Sequence, residues 1–206
     1  MNNTQKSIFI IFLVLLIDQV LKIIIKTNML LYEDIHVLGD WFILKFIEND
    51  GMAFGLDLPG NNGKLFLTIF RIAAVIAIGF YLRHLIITRA HQGLIFSIAL
   101  ILAGALGNII DSVFYGVVFS ESTQFSAATL FPAGGGYDTL MHGHVVDMFY
   151  FPIIRGYWPE WIPWKGGDPF EFFRPIFNIA DSSITIGVFL ILIFQKSFFE
   201  HEKKEE

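Results

Sequence analysis

The chain contains no cysteine, which excludes a disulfide framework, a thiolate metal site and a cysteine nucleophile. Charge is scarce too: Asp, Glu, Lys and Arg make up 16% of the 206 residues, against about 25% in ordinary soluble domains. The formal charge of −5 supplies no basic stripe, so nucleic acid is not an expected partner. Neither a His-Glu-x-x-His metal helix nor a Gly-x-Ser-x-Gly elbow occurs. What is abundant is apolar: 54% of residues are hydrophobic, with 23 phenylalanines, gathered into long runs. Such a chain has too much to bury for disorder, and its length suits one domain. It reads as an integral membrane protein.

A bilayer core about 30 Å thick takes about 20 apolar residues in helix. Four stretches qualify: 8–25, 65–87, 94–119 and 176–194. The first has Lys6 ahead of it like a secretory signal, but Lys26-Thr27-Asn28-Met29 offers no small-residue cleavage site, so the span is expected to be retained. Arg83 and Arg89 lie in the link between the second and third spans, Lys6 precedes the first, and Lys196, Lys203 and Lys204 follow the last. The positive-inside rule puts both termini in the cytoplasm. Trp41, Trp158, Trp161 and Trp164 all fall in the two loops this assigns to the outer face, where indoles favour the interface. The first outer loop, 35–47, alternates β-branched and aromatic residues and predicts short strands ending at Glu48-Asn49-Asp50-Gly51. The second outer loop is long, with a Ser/Thr/Gly/Ala-rich part at 120–143 and a Trp/Pro/Gly-rich part at 156–175. The expected architecture is an all-α membrane protein of four transmembrane helices, with a small extracytoplasmic β-rich cradle. Residues 1–199 form one integral-membrane domain, and 200–206 are a charged cytoplasmic tail.

Polar groups inside apolar runs are the informative ones in lipid. Asp18 and Lys22 are four apart, on one helical face; a structural ion pair and a part in substrate binding are both open. The third span closes on Gly104-Ala105-Leu106-Gly107-Asn108-Ile109-Ile110-Asp111, whose small residues suit close packing and whose Asn108 and Asp111 share a face. The fourth opens on Asn178 and Asp181 at the same spacing. An N-cap accounts for Asn178 plainly, and the positive helix end does so for Asp181. Asp111, Asp147 and Asp181 are expected to converge at one depth near the outer face. Two close carboxyls in a low dielectric share a proton. The ionised one activates water while the protonated one polarises a carbonyl. That reads as an aspartic hydrolase. The rivals are a metal on His142, His144 and Asp147, a serine/lysine hydrolase on Ser182 or Ser183 with Lys22, and a small carrier or channel relaying ions on its acids. Internal symmetry, which a carrier favours, is absent.

Five segments together resemble the lipoprotein signal peptidases (signal peptidase II): Asp18-x-x-x-Lys22; Asn49-Asp50-Gly51-Met52-Ala53-Phe54-Gly55; Gly104 to Asp111; His144-Val145-Val146-Asp147-Met148; and Phe177-Asn178-Ile179-Ala180-Asp181-Ser182-Ser183-Ile184. The resemblance implies an aspartic endopeptidase of the bacterial inner membrane, using no cofactor and no metal. It implies that Asp147 and Asp181 are catalytic. Asp111 and Asp18 would support the site with Lys22 and Gly51, and Asn49, Asn108 and Asn178 would orient the substrate backbone or the dyad. The implied substrate is a prolipoprotein with a diacylglyceryl-modified cysteine, cut just before that cysteine by a monomeric enzyme sensitive to globomycin-type inhibitors. Membrane lipids are its surroundings. Three departures stand out. Ser112 takes the place of the family's arginine, with Arg155 and Arg174 as candidate substitutes. Met52 replaces an alanine. An insertion at about 117–143 lengthens the second outer loop and predicts a helix around Ser126–Leu130. The tryptophan-bearing loop is a candidate lid.

Overall fold

The computed structural model describes residues 1–49 and 61–200. Three of its helices are long and apolar enough to cross a membrane: α1 (Asn3–Asn28), α2 (Asn61–Ile87) and α3 (Gln92–Ile110) with its continuation to Val118. A fourth apolar helix, α5 (Ile179–Ile193), is shorter, at 15 residues, and is followed by α6 (Gln195–Glu200). The expected fourth span at 176–194 therefore starts late. Ile176–Phe177 form a short strand, and Asn178 caps the helix. Asn178 sets the start, because its extended backbone and its capping box with Asp181 begin the helix at Ile179.

Six strands lie between the helices: β1 (Asp34–Leu38), β2 (Phe42–Asn49), β3 (Val145–Tyr150), β4 (Ile154–Tyr157), β5 (Pro169–Phe172) and β6 (Ile176–Phe177). Strands β1-β2-β3-β6 form one antiparallel sheet in that order, and β4-β5 form a separate hairpin. The expected strands at 35–47 are thus present. The Gly51 and Met52 expectations lie outside the described residues. Register pairs Asn49 with Val145 and Ile47 with Asp147, which brings the end of β2 beside the first proposed catalytic acid.

Helices α3 and α5 approach closely because small residues face each other. A Cβ added to Gly104 would meet the Ala180 carbonyl oxygen at 2.2 Å, and one on Gly107 would meet Asp18 Oδ2 at 2.8 Å. In lipid, where apolar side chains gain little from leaving the solvent, such backbone approach is a main source of helix association. It also lets the polar residues of α1, α3 and α5 reach one another.

Beyond Ile110 the third helix widens into a π-helical turn, Asp111–Tyr115, before the short α4 (Gly116–Val118). A π turn redirects carbonyls from the helical ladder. Here Ser112 O accepts from Gly143 N at 2.9 Å, Val113 O from Met141 N at 2.9 Å, and Gly116 O from Asp138 N at 2.9 Å. The segment leading into β3 is docked on that edge.

The helix expected around Ser126–Leu130 is absent; the segment is irregular, with one bridge from Phe119 to Leu130. The Thr123 hydroxyl accepts from the Phe125 and Ser126 amides, the local bonding by which Ser and Thr compete with helix. Ala128 N donates to Lys26 O at 3.1 Å and Leu31 N to Thr123 O at 3.0 Å, so the insertion is stitched across the end of α1. Phe119, Ala128, Phe46, Val146 and Met148 share one buried cluster there.

Gly104→Val is expected to pry α5 from α3, lowering stability by about 1–3 kcal/mol as overpacking does. Thermal unfolding in detergent checks this; an unchanged transition would mean the contact can relax at no expense.

Candidate active site

Asp147 lies on β3 and is 5% exposed. Its Oδ1 accepts from Asn178 Nδ2 at 2.8 Å and its Oδ2 from Asn49 Nδ2 at 3.3 Å. Asp181 occupies the first turn of α5. It closes a reciprocal capping box with Asn178: Asp181 N donates to Asn178 Oδ1 at 2.9 Å, and Asn178 N donates to Asp181 Oδ2 at 3.3 Å. Asn108 Nδ2 donates to Asp181 Oδ1 at 2.8 Å. Asn178 caps α5, and its amide also bonds Asp147, Val146 O at 3.2 Å and Asn108 Oδ1 at 3.1 Å. The two acids share one asparagine and lie within electrostatic reach of each other. Burial, and next the negative charge of Asp181, push the Asp147 carboxyl up to about 7. Donation from Asn49 and Asn178 and the charge of Lys22 oppose that rise.

The expected convergence of three acids resolves into two and one. Asp111 is fully buried and bound to Lys22 Nζ at 2.7 Å, to Gln19 Nε2 at 3.0 Å and to Val146 N at 3.2 Å. Lys22 Nζ also reaches Asp18 at 2.9 Å and Asn108 Oδ1 at 2.9 Å. Asp18 in turn accepts from Ala180 N at 2.9 Å. Asp18, Lys22 and Asp111 therefore form a closed ionic brace that bonds α1 to α3, α5 and β3, beneath the asparagines that hold the pair.

Among the described residues, the groups of the rival chemistries are bonded elsewhere. Ser182 Oγ donates to Asn178 O and Ser183 Oγ to Leu100 O, while Lys22, held by two carboxylates, has no free pair to act as a base. His142 is bonded within its own turn, to Thr139 and Leu140. His144 stacks on Tyr137 and lies 3.4 Å from the Lys64 ammonium, a cation that opposes a metal. Arg155, one candidate for the missing arginine, is committed to Glu171 at 3.0 Å on the β4-β5 hairpin, and Arg174 also feels Glu171.

Two features escaped the sequence analysis. Lys26 is fully buried, paired with Glu48 and Ser122 and facing the rings of Tyr137 at 4.9 Å and Phe119 at 5.4 Å. It fixes the end of β2 next to Asn49. Helix α2 carries a polar stripe of Lys64, Thr68 and Arg71 at i, i+4 and i+7. Thr68 Oγ1 donates to Met141 O at 3.1 Å, and Arg71 interacts electrostatically with Asp181. The signal was the spacing itself, polar residues on one face of an apolar helix.

Removing the brace's cation is expected to be severe. Lys22→Met leaves two buried carboxylates facing each other, a loss of about 3–5 kcal/mol. Adding Asp18→Asn and Asp111→Asn to it should recover much of the unfolding temperature. No recovery would mean that packing, and not charge, is what Lys22 supplies.

The model of the family described as signal peptidase (SPase) II matches residues 10–197. A lipoprotein signal peptidase of Porphyromonas gingivalis is 51% identical over 185 residues, 89% of this chain and 80% of the relative. One of Amoebophilus asiaticus is 37% identical over 88% of this chain and 73% of its own length. A solved structure described as a bacterial membrane enzyme, at 2.3 Å, superposes with a TM-score of 0.61 and 30% identity, covering 94% of this chain and 90% of that one. With the match running from the first apolar helix to the last, the chain belongs to the signal peptidase II family.

Proposed function

We propose that Asp147 and Asp181 are the catalytic pair with which this signal peptidase II removes signal peptides from prolipoproteins. The observation that carries the reading is the pair itself. Two carboxyls from different elements, Asp147 nearly buried and Asp181 in the first turn of α5, are joined through Asn178 and flanked by amides that hold both in place. The ionised carboxylate takes a proton from water as the oxygen attacks the scissile carbonyl carbon. The protonated partner gives its proton to the carbonyl oxygen, leaving a neutral gem-diol. On collapse the first acid hands its proton to the amide nitrogen, the second takes one back from the diol, and the C–N bond breaks. Every proton is accounted for by two side chains and one water.

The substrate is read as a diacylglyceryl-modified prolipoprotein cut before the modified cysteine. A lipidated cysteine sits in the membrane surface, which suits a pair where α3 and α5 meet the sheet. In this reading α5 is the fourth span, the termini are cytoplasmic, the sheet cradles the peptide on the outer face, and the enzyme is a monomer open to globomycin-type inhibitors. Asn49 and Asn108 orient the acids. The carrier reading loses ground because Asp18 and Asp111 are locked on Lys22, and locked acids do not relay ions.

The test is a gel-shift assay in detergent with diacylglyceryl-modified prolipoprotein. Asp147→Asn and Asp181→Asn, each folded, are expected to lose about 10²–10⁴-fold in rate, the range of positioned acid–base catalysis. Substrate without lipid should stay uncut. Cleavage surviving both substitutions would move the chemistry elsewhere.

A further inference from the structure

Strand alternation gives the four-stranded sheet two unlike faces. Ile43 and Phe46 of β2 and Val146 and Met148 of β3 point into the protein and are buried. The other face carries Asp147 at one end and a row of aromatic rings beyond it. Phe149 and Phe151 follow Asp147 at every second position, and Phe177 pairs with Phe149 from β6. Phe42 of β2 stacks on Phe151 at 4.8 Å between ring centroids, while Phe177 lies 6.0 Å from Phe149 and 5.8 Å from Phe151. Trp41, 6.2 Å from Phe151, and Phe173, 6.2 Å from Phe177, extend the row on its two sides.

These rings are not core. Phe42, Phe149, Phe151 and Phe177 are half-buried, and Trp41 and Phe173 are exposed. A contiguous apolar surface left open in this way marks a place where something binds. The chemistry of the shelf narrows what that is. None of the six side chains is charged, and apart from the Trp41 indole N–H they offer a ligand no hydrogen-bond partner. A peptide main chain needs such partners along its length; a hydrocarbon chain needs none. The shelf also begins at the acid. Phe151 is four residues beyond Asp147, about 13 Å along an extended strand, so a chain lying on the rings is tethered beside the carboxyls. The polar contacts on this face are at the other end, where Asn49 meets Asp147.

We propose that this shelf of rings binds an acyl chain of the diacylglyceryl-modified cysteine, while the scissile peptide crosses the Asp147 and Asn49 end of the same face. The proposal rests on the reading of Asp147 and Asp181 as a catalytic pair acting on a diacylglyceryl-modified prolipoprotein, and it gives the lipid of that substrate its own subsite. The rings act by placement: a chain held on them fixes the modified cysteine next to the carboxyls. A chain drawn from lipid or detergent gains little by leaving it, so the binding comes from covering the half-open rings and from chain-to-ring packing. A substrate without acyl chains leaves the shelf uncovered and its scissile bond unplaced.

The test measures kcat/KM in one detergent on two substrates with the same peptide, the modified cysteine carrying palmitoyl chains in one and butyryl chains in the other. The double variant F42A/F151A should lose about tenfold on the palmitoyl substrate, the size of a well-packed aromatic contact, and little on the butyryl one. Comparing variant with wild type on each substrate removes any difference in how the two enter micelles, and unfolding temperatures are taken alongside. An equal loss on both substrates overturns the proposal, because rings that hold the peptide or the fold are blind to chain length; so does no loss on either. A second measurement needs no ring variant. A palmitoyl substrate with a diazirine on its chain is photolysed on D181N, which in the reading above keeps it uncut. Cross-links are expected within residues 41–42, 149–151 or 173–177, and cross-links confined to the long apolar helices overturn the proposal. Cleavage of the palmitoyl substrate by both D147N and D181N would instead sink the two-aspartate reading, an outcome distinct from either of these.

Discussion

A single buried ammonium ties the helices together. Lys22 lies between Asp18 on its own helix and Asp111 on α3, with Asn108 as a third acceptor. Any of these groups alone inside the bundle would be strongly unfavourable. Together they neutralise most of their charge and fill one another's bonding capacity. Gln19 joins the same set through Asp18, Gly107 O and Asp111. Because Asp18 also accepts from Ala180 N and Asp111 from Val146 N, the brace fixes the start of α5 and the strand β3, the two elements that carry the proposed catalytic acids.

Above that brace the bonding changes character. Asn49, Asn108 and Asn178 hold the two aspartates through neutral amides. The arrangement separates tasks by depth: ion pairs organise the helices, and amides present the acids. The glycines of α3 make the separation feasible, since only a backbone without side chains lets Asp18 and Ala180 come so near. The π-helical turn after Ile110 serves the same end from the other side, freeing the carbonyls on which residues 138–143 dock before β3 begins.

The insertion follows a similar economy. It packs as irregular chain over the ends of α1 and β2, with its own hydroxyls satisfying its turns. Lys26 and Glu48 meet Ser122 beneath it. The insertion is thus part of what keeps Asn49 beside Asp147. The β4-β5 hairpin is a sheet of its own, with Trp161 and Trp164 largely exposed, tied to the end of β3 through Arg155, Glu171 and Tyr150.

The features legible in the sequence were those that short-range geometry governs. Apolar runs gave the helices, the i, i+4 spacing gave Asp18 and Lys22, and the Asn178 to Asp181 spacing gave the cap. The small residues of α3 gave a close helix contact. Helical periodicity and capping need only three or four neighbouring residues, so no partner has to be known. Spacing alone left Asp111, Asp147 and Asp181 alike, and the family resemblance separated them; what only the tertiary structure decided is their contacts, since the docking of α1 on α3 places Lys22 against the first and leaves amides for the others. The same holds for Lys26, whose pairing with Glu48 and Ser122 exists only once the chain packs. A charge's environment is set by what approaches it from other elements, and that information is not local. The loss of the expected helix at 126–130 is the same lesson on a smaller scale, since the docking of Ala128 on Lys26 and the Thr123 turn override local propensity there.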